Sequence, residues 1–151
     1  MRADQIILEH WLARLVEDHP GQTVGLPTQD KFRNPVGYTL RESLATLVQQ
    51  LLGAMDLPTV RIALESIVRI RTVQGLNANQ AVGFVFSLKP ILEESLPQAQ
   101  AVSLNSRIDQ LALMASQEYA RCCEQLTKIR ASERRRAMSG AAALAQARHN
   151  P

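Results

Sequence analysis

Apolar residues recur at steps of three and four along almost the whole chain, and no alternating run is bounded by hairpin turns, so the pattern predicts an all-α protein. A first helix is expected from about Asp4 to Asp18, with Ile7, Leu8, Trp11, Leu12, Leu15 and Val16 on one face and Pro20-Gly21 just beyond it. Residues 20–37, with Pro20, Pro27 and Pro35, read as a long connection, either a plain Ω-loop or a recognition segment. Within it Asn34, Pro35 and Gly37 have the chemistry of a turn. A second helix is expected to start at the capping box Thr39-x-x-Glu42 and to end at Gly53 and Asp56. Pro58 suits the first turn of a third helix reaching about Gln74, because its missing amide hydrogen has no helical partner there.

Asn77 and Gln80 cap a fourth predicted helix. Its apolar set of Ala81, Phe84, Val85, Leu88, Ile91 and Leu92 is flanked by Val82 and Phe86, an arc wide enough for the centre of a bundle. Pro90 falls inside this helix and predicts a kink where it crowds the Phe86 carbonyl, and Pro97 closes it. Gly83, costly in mid-helix, suggests the close approach of another helix or of a ligand, with close packing the first expectation. The last helix is expected from about Val102 to Arg136, and its seam is longer than a small bundle can cover. Leu104, Ile108, Leu111, Tyr119, Leu126 and Ile129 are therefore the candidate dimer seam. Residues 137–151 are alanine-rich and read as a frayed tail, so one domain over 1–136 with a tail over 137–151 is expected, built on about five main helices.

At 151 residues, with 46% hydrophobic and 21% charged, the chain can bury one core without disulfide or metal support and lies far from the composition of disorder. No apolar run approaches the roughly 20 residues of a membrane span, and the N-terminus lacks a signal-peptide core, so a cytoplasmic protein is expected. The adjacent Cys122 and Cys123 cannot readily bridge each other, which fits a reducing compartment. Of the net charge of +3, residues 128–136 alone carry +4, leaving −1 elsewhere. Positive charge confined to one helix end does not make nucleic acid the obvious partner. Glycine-rich phosphate loops, a nucleophile elbow and paired inward carboxylates are missing from the sequence, and no enzyme is expected. His10, His19 and His149 form no ligating set, so neither metal nor haem nor another cofactor is expected.

The sharpest anomaly is polar. Arg71 and Gln74 fall on the face of the third helix that carries Val60, Leu64 and Ile67, and Glu118 sits in the last helix's seam between Leu111 and Cys122. Either these helix ends emerge into solvent with their stems laid along the surface, or Arg71, Gln74 and Glu118 form a buried polar switch or ligand site. Cys122 reads as a small core hydrophobe. A redox-sensing thiol would instead need exposure and a lowered pKa beside Arg121.

Three stretches together carry a family resemblance. They are Asn34-Pro35-Val36-Gly37-Tyr38 leading into Arg41-Glu42; Ile67-Val68-Arg69-Ile70-Arg71-Thr72-Val73-Gln74 followed by Gln80-Ala81-Val82-Gly83-Phe84-Val85-Phe86; and Arg107-Ile108-Asp109 before Leu111-Ala112. Over about residues 5 to 135 the chain resembles the N-terminal domain of RsbRD-type RsbT co-antagonists of bacterial stress signalling. The resemblance implies a haem-less, globin-like sensor domain, dimeric through its terminal helices and normally placed before a phosphorylatable STAS domain. No STAS segment follows the last helix in this sequence, so only sensing, dimerisation or partner binding is expected of it. The first expectation is thus a homodimeric, non-enzymatic sensor or adaptor module acting on an unidentified regulatory protein. The alternative is a small non-haem ligand held where a haem would sit, near Arg71, Phe84 and Cys122. A nucleic-acid accessory role through the basic helix end is the weaker third.

Overall fold

A computed structural model describes residues 2–18 and 34–149 of the chain. Most of the connection read over 20–37 lies outside the described residues, as does His19. The order of elements is α1 (Ala3–Asp18), α2 (Pro35–Leu52), α3 (Leu57–Val73), α4 (Ala78–Val82), a 3-10 turn (Gly83–Val85), α5 (Leu88–Ser95), α6 (Gln98–Ser103) and α7 (Asn105–His149). The protein is all-α, and the described residues hold five longer helices and two short ones and no strand. The chain divides into two compact units, Met1–Tyr119 and Ala120–Pro151, with the division falling inside α7.

In the first unit α1 packs on α2 and α5, α2 packs on α3, α3 on α4, and α5 on α6. The helical stripes meet in a core that includes Ile7, Trp11, Leu40, Leu44, Leu47, Leu51, Val60, Leu64, Ile67, Leu88 and Leu92, all at 2% exposure or less. Each such large side chain contributes roughly 1.5–3 kcal/mol on burial. The start of α7 is tied to this core at two points. Arg107 Nη1 donates to the carbonyls of Leu51 and Gly53, at 2.7 Å each, where α2 ends. A cation there also answers the negative end of the helix dipole. Two residues farther along α7, Asp109 pairs with Lys89 of α5 at 3.0 Å.

Four sequence expectations are corrected. First, α2 begins at Pro35 rather than at Thr39: the Asn34 side chain accepts from the Gly37 amide at 3.0 Å, and Pro35 occupies the first turn, where its missing donor costs nothing. Asn34, Pro35, Gly37 and Tyr38 thus form the cap and first turn of a helix instead of a turn before one. Second, the fourth helix is interrupted at Gly83–Val85, not kinked at Pro90. Pro90 falls in the first turn of α5, a position that tolerates the ring. Third, Pro97 closes no long helix but precedes α6, a short helix absent from the sequence reading. Fourth, α7 stays helical through His149, where fraying from residue 137 was expected. Alanine, the best helix former, outweighs the single Gly140 in this stretch.

The cap position is testable by chemical denaturation. Asn34→Ala is expected to cost about 1 kcal/mol, the usual value of a lost N-cap, and Thr39→Ala less than about 0.5 kcal/mol. The reverse order would restore the helix start at Thr39.

Candidate functional site

The site grows out of the way α3 stops. Gly75 adopts a left-handed conformation, φ 84°, and its amide bonds to the Thr72 carbonyl at 3.0 Å while that of Leu76 bonds to the Arg71 carbonyl at 3.2 Å. This double closure satisfies two of the last carbonyls of the helix, and Leu76 is buried beside it. The chain then turns directly into α4, whose start is fixed by a reciprocal box: Asn77 Oδ1 accepts from the Gln80 amide at 2.9 Å and Gln80 Oε1 from the Asn77 amide at 3.1 Å. The reversal brings α4 back over the last turn of α3, where Arg71 lies.

Arg71 is fully buried, at 0% exposure. Its Nε and Nη2 donate to the backbone carbonyl of Gln80 at 3.3 and 2.9 Å, and its guanidinium carbon lies 5.9 Å from the centre of the Phe84 ring. Both contacts favour the cation, the second through the negative face of the ring. In an unbroken α-helix the Gln80 carbonyl would be claimed by the amide of Phe84 and the Phe84 carbonyl by that of Leu88. The interruption at Gly83–Val85 makes them available to side chains instead. Trp11 Nε1 of α1 donates to the Phe84 carbonyl at 2.9 Å, as does Ser87 Oγ at 2.6 Å, and the Trp11 and Phe84 rings stack with centroids 5.8 Å apart. Indole, phenyl ring and guanidinium form one layered series across α1, the 3-10 turn and α3.

Beside this series lies an open cavity of about 380 Å³ lined by Leu15, Arg71, Asn79, Gln80, Gly83, Phe84 and Ser87. Among these lining residues one is a cation, three bear uncharged polar side chains and none is acidic. Gly83 does not mark a close helix approach as expected, because a Cβ built there meets nothing within 4 Å. Its exposed backbone borders the cavity. Glu118 of α7 is buried at 3% exposure, and Gln74, the C-cap of α3, is half-buried. Arg71 and Glu118 therefore do not emerge into solvent. No group of His, Cys, Asp and Glu side chains suited to a metal occurs among the described residues.

Residues 5–134 match the family described as the RsbT co-antagonist protein rsbRD N-terminal domain. The chain belongs to this family. No curated protein and no solved structure matches it. The rsbRD N-terminal domain is a sensor-type domain of signalling proteins and not a known enzyme family. No helix among the described residues is long and apolar enough to cross a membrane. In this rsbRD-type domain the Arg69-Ile70-Arg71 string supplies the buried cation, and the Gly83-Phe84 string supplies the interruption and the ring beneath it.

The seam on α7 is divided in its use. Leu104, Ile108 and Leu111 are buried in the first unit, so these three belong to the core of a single chain and not to a free dimer face. Tyr119 and Leu126 are half-buried and Ile129 is 54% exposed. Cys122 is buried and Cys123 intermediate. Trp11, Gln80 and Ser87 were not singled out from sequence as site residues. Their roles depend on carbonyls freed by the helix interruption, and the one sequence signal for it was Gly83.

Replacing Arg71 with Met should lower stability by several kcal/mol, as for other buried charge sites that lose one member. If Glu118 is coupled to it, Arg71→Met combined with Glu118→Leu should recover much of that loss, and urea unfolding of the two single variants and the double measures the coupling. Additive losses would mean that the two charges are satisfied independently. Single variants within about 0.5 kcal/mol of wild type would remove Arg71 from the polar framework altogether.

Proposed function

We propose that this chain is a non-enzymatic regulatory module of bacterial stress signalling, cytoplasmic, that works by homodimerisation and by binding another protein. The observation that carries the reading is the exposed apolar surface on the second unit of α7. Ile129 is 54% exposed and Leu126, one turn before it, is half-buried, on a helix whose earlier seam residues are spent on their own core. A signalling domain of this family with such a stripe left over is suited to passing a signal through helix pairing. Isolated apolar residues on a surface mean little, but two on one ridge of a long helix make a short zipper.

A second reading is favoured by the cavity beside Arg71. A small non-haem ligand held there would touch the 3-10 turn and the end of α3 at once. It would act on the same layered series that holds α1 through Trp11, giving a sensing input for the module. The two readings are compatible, with ligand as input and helix pairing as output.

Sedimentation equilibrium at micromolar concentration tests the pairing. The expected mass is twice the 16.7 kDa of one chain, and Ile129→Glu is expected to return it to one. A clean monomer of the unmodified protein would overturn the homodimer.

A further inference from the structure

Charge divides the second unit of the molecule into two halves. Residues 120–129 hold Arg121 and Lys128 against Glu124, a net of +1, and Lys128 stands 3.7 Å from Glu124 one turn away. Residues 130–149 hold Arg130, Arg134, Arg135, Arg136 and Arg148 against Glu133 alone, a net of +4. By contrast, residues 1–119 carry ten cations and twelve anions, a net of −2. The helix that contains the basic half is continuous, and Arg130, Arg134, Arg135 and Arg136 are all exposed.

These cations do not stand alone. Arg130, Arg134, Met138, Ala141 and Ala145 follow one another at steps of four, four, three and four, which places them on one face of α7. Leu144 adjoins that face, and Met138 and Leu144 are 71% and 66% exposed. The face is thus cationic at its beginning and apolar or small-sided farther on. A second copy of this chain fits it poorly, since it would bring another +4 against the first with only Glu133 to answer. Nucleic acid needs cations but gains little from an adjoining ridge of methionine, leucine and alanine.

We propose that residues 130–145 of α7 dock an amphipathic helix of another protein, acidic at one end of its contact face and apolar at the other. Its carboxylates meet the forked donors of Arg130 and Arg134, and its apolar side chains lie over Met138 and Leu144, where the alanines let the helix axes come close. This deepens the protein-binding part of the reading above by naming the chemistry of the partner. It also separates the two contacts along α7, with pairing of copies on the nearly neutral half and the acidic partner on the basic half.

The test uses the full chain and a labelled synthetic helix three heptads long, with glutamates at one end of its apolar stripe and leucines along the rest. Fluorescence anisotropy at physiological salt is expected to give saturable binding. Arg130→Gln with Arg134→Gln should weaken it at least about tenfold, and Met138→Asp should do so to a similar degree. Duplex DNA and phosphatidylserine vesicles serve as rivals, and tighter binding of either than of the peptide would overturn the proposal in favour of a general polyanion surface. It is equally overturned by no peptide binding, or by binding that these substitutions leave unchanged. The same variants are expected to sediment like wild type, whereas Ile129→Glu is expected to alter sedimentation and spare peptide binding. Failure of the homodimer and failure of the docking face are therefore read separately.

Discussion

A guanidinium without solvent exposure is the constraint around which the first unit is arranged. Burying an ionised group costs several kcal/mol unless donors and charge are answered locally, and Arg71 sits at 0% exposure. The chain meets that demand with backbone and ring. A left-handed Gly75 ends α3, a reciprocal Asn77–Gln80 cap restarts the chain, and the Gln80 carbonyl is delivered to Arg71. The break at Gly83–Val85 then places Phe84 beneath the guanidinium and frees the Phe84 carbonyl for Trp11. Loop, cap, helix break and first helix are thereby linked through one side chain.

Much of this fold is legible in the sequence. The long helices follow from apolar residues at steps of three and four, and the face that Arg71 shares with Val60, Leu64 and Ile67 left two readings open, solvent or core, between which its 0% exposure decides for the core. What escaped the sequence were competitions between local signals. At α2 two caps were available, and Asn34 with Pro35 begins the helix four residues ahead of Thr39. At the fourth helix Pro90 reads as the breaker. Yet a proline in the first turn is harmless, and the break fell upstream, where side chains from α1 and α3 could use the released carbonyls. Such a gain is tertiary and leaves no trace in periodicity.

The candidate site was half legible for the same reason. A cation on an apolar face can be read from helical spacing, but the residues that surround it are brought by a reversal of the chain, and spacing is silent on which carbonyl arrives. The α7 seam illustrates a related limit. Its period is regular from Leu104 to Ile129, so sequence alone treats it as one surface. Burial divides it, with Leu104, Ile108 and Leu111 at 7% or less and Ile129 at 54%. Periodicity identifies a face but cannot say whether the chain itself or another molecule covers it.

The chain contains a single tryptophan, and it is the one that donates to the Phe84 carbonyl from a fully buried position. Its emission therefore comes from one junction only, the contact between α1 and the interrupted helix. A rearrangement at Gly83–Val85 would change the polarity around the indole or the hydrogen bond on its nitrogen. The protein thus carries its own optical probe, already seated at the layer between its first helix and its buried cation.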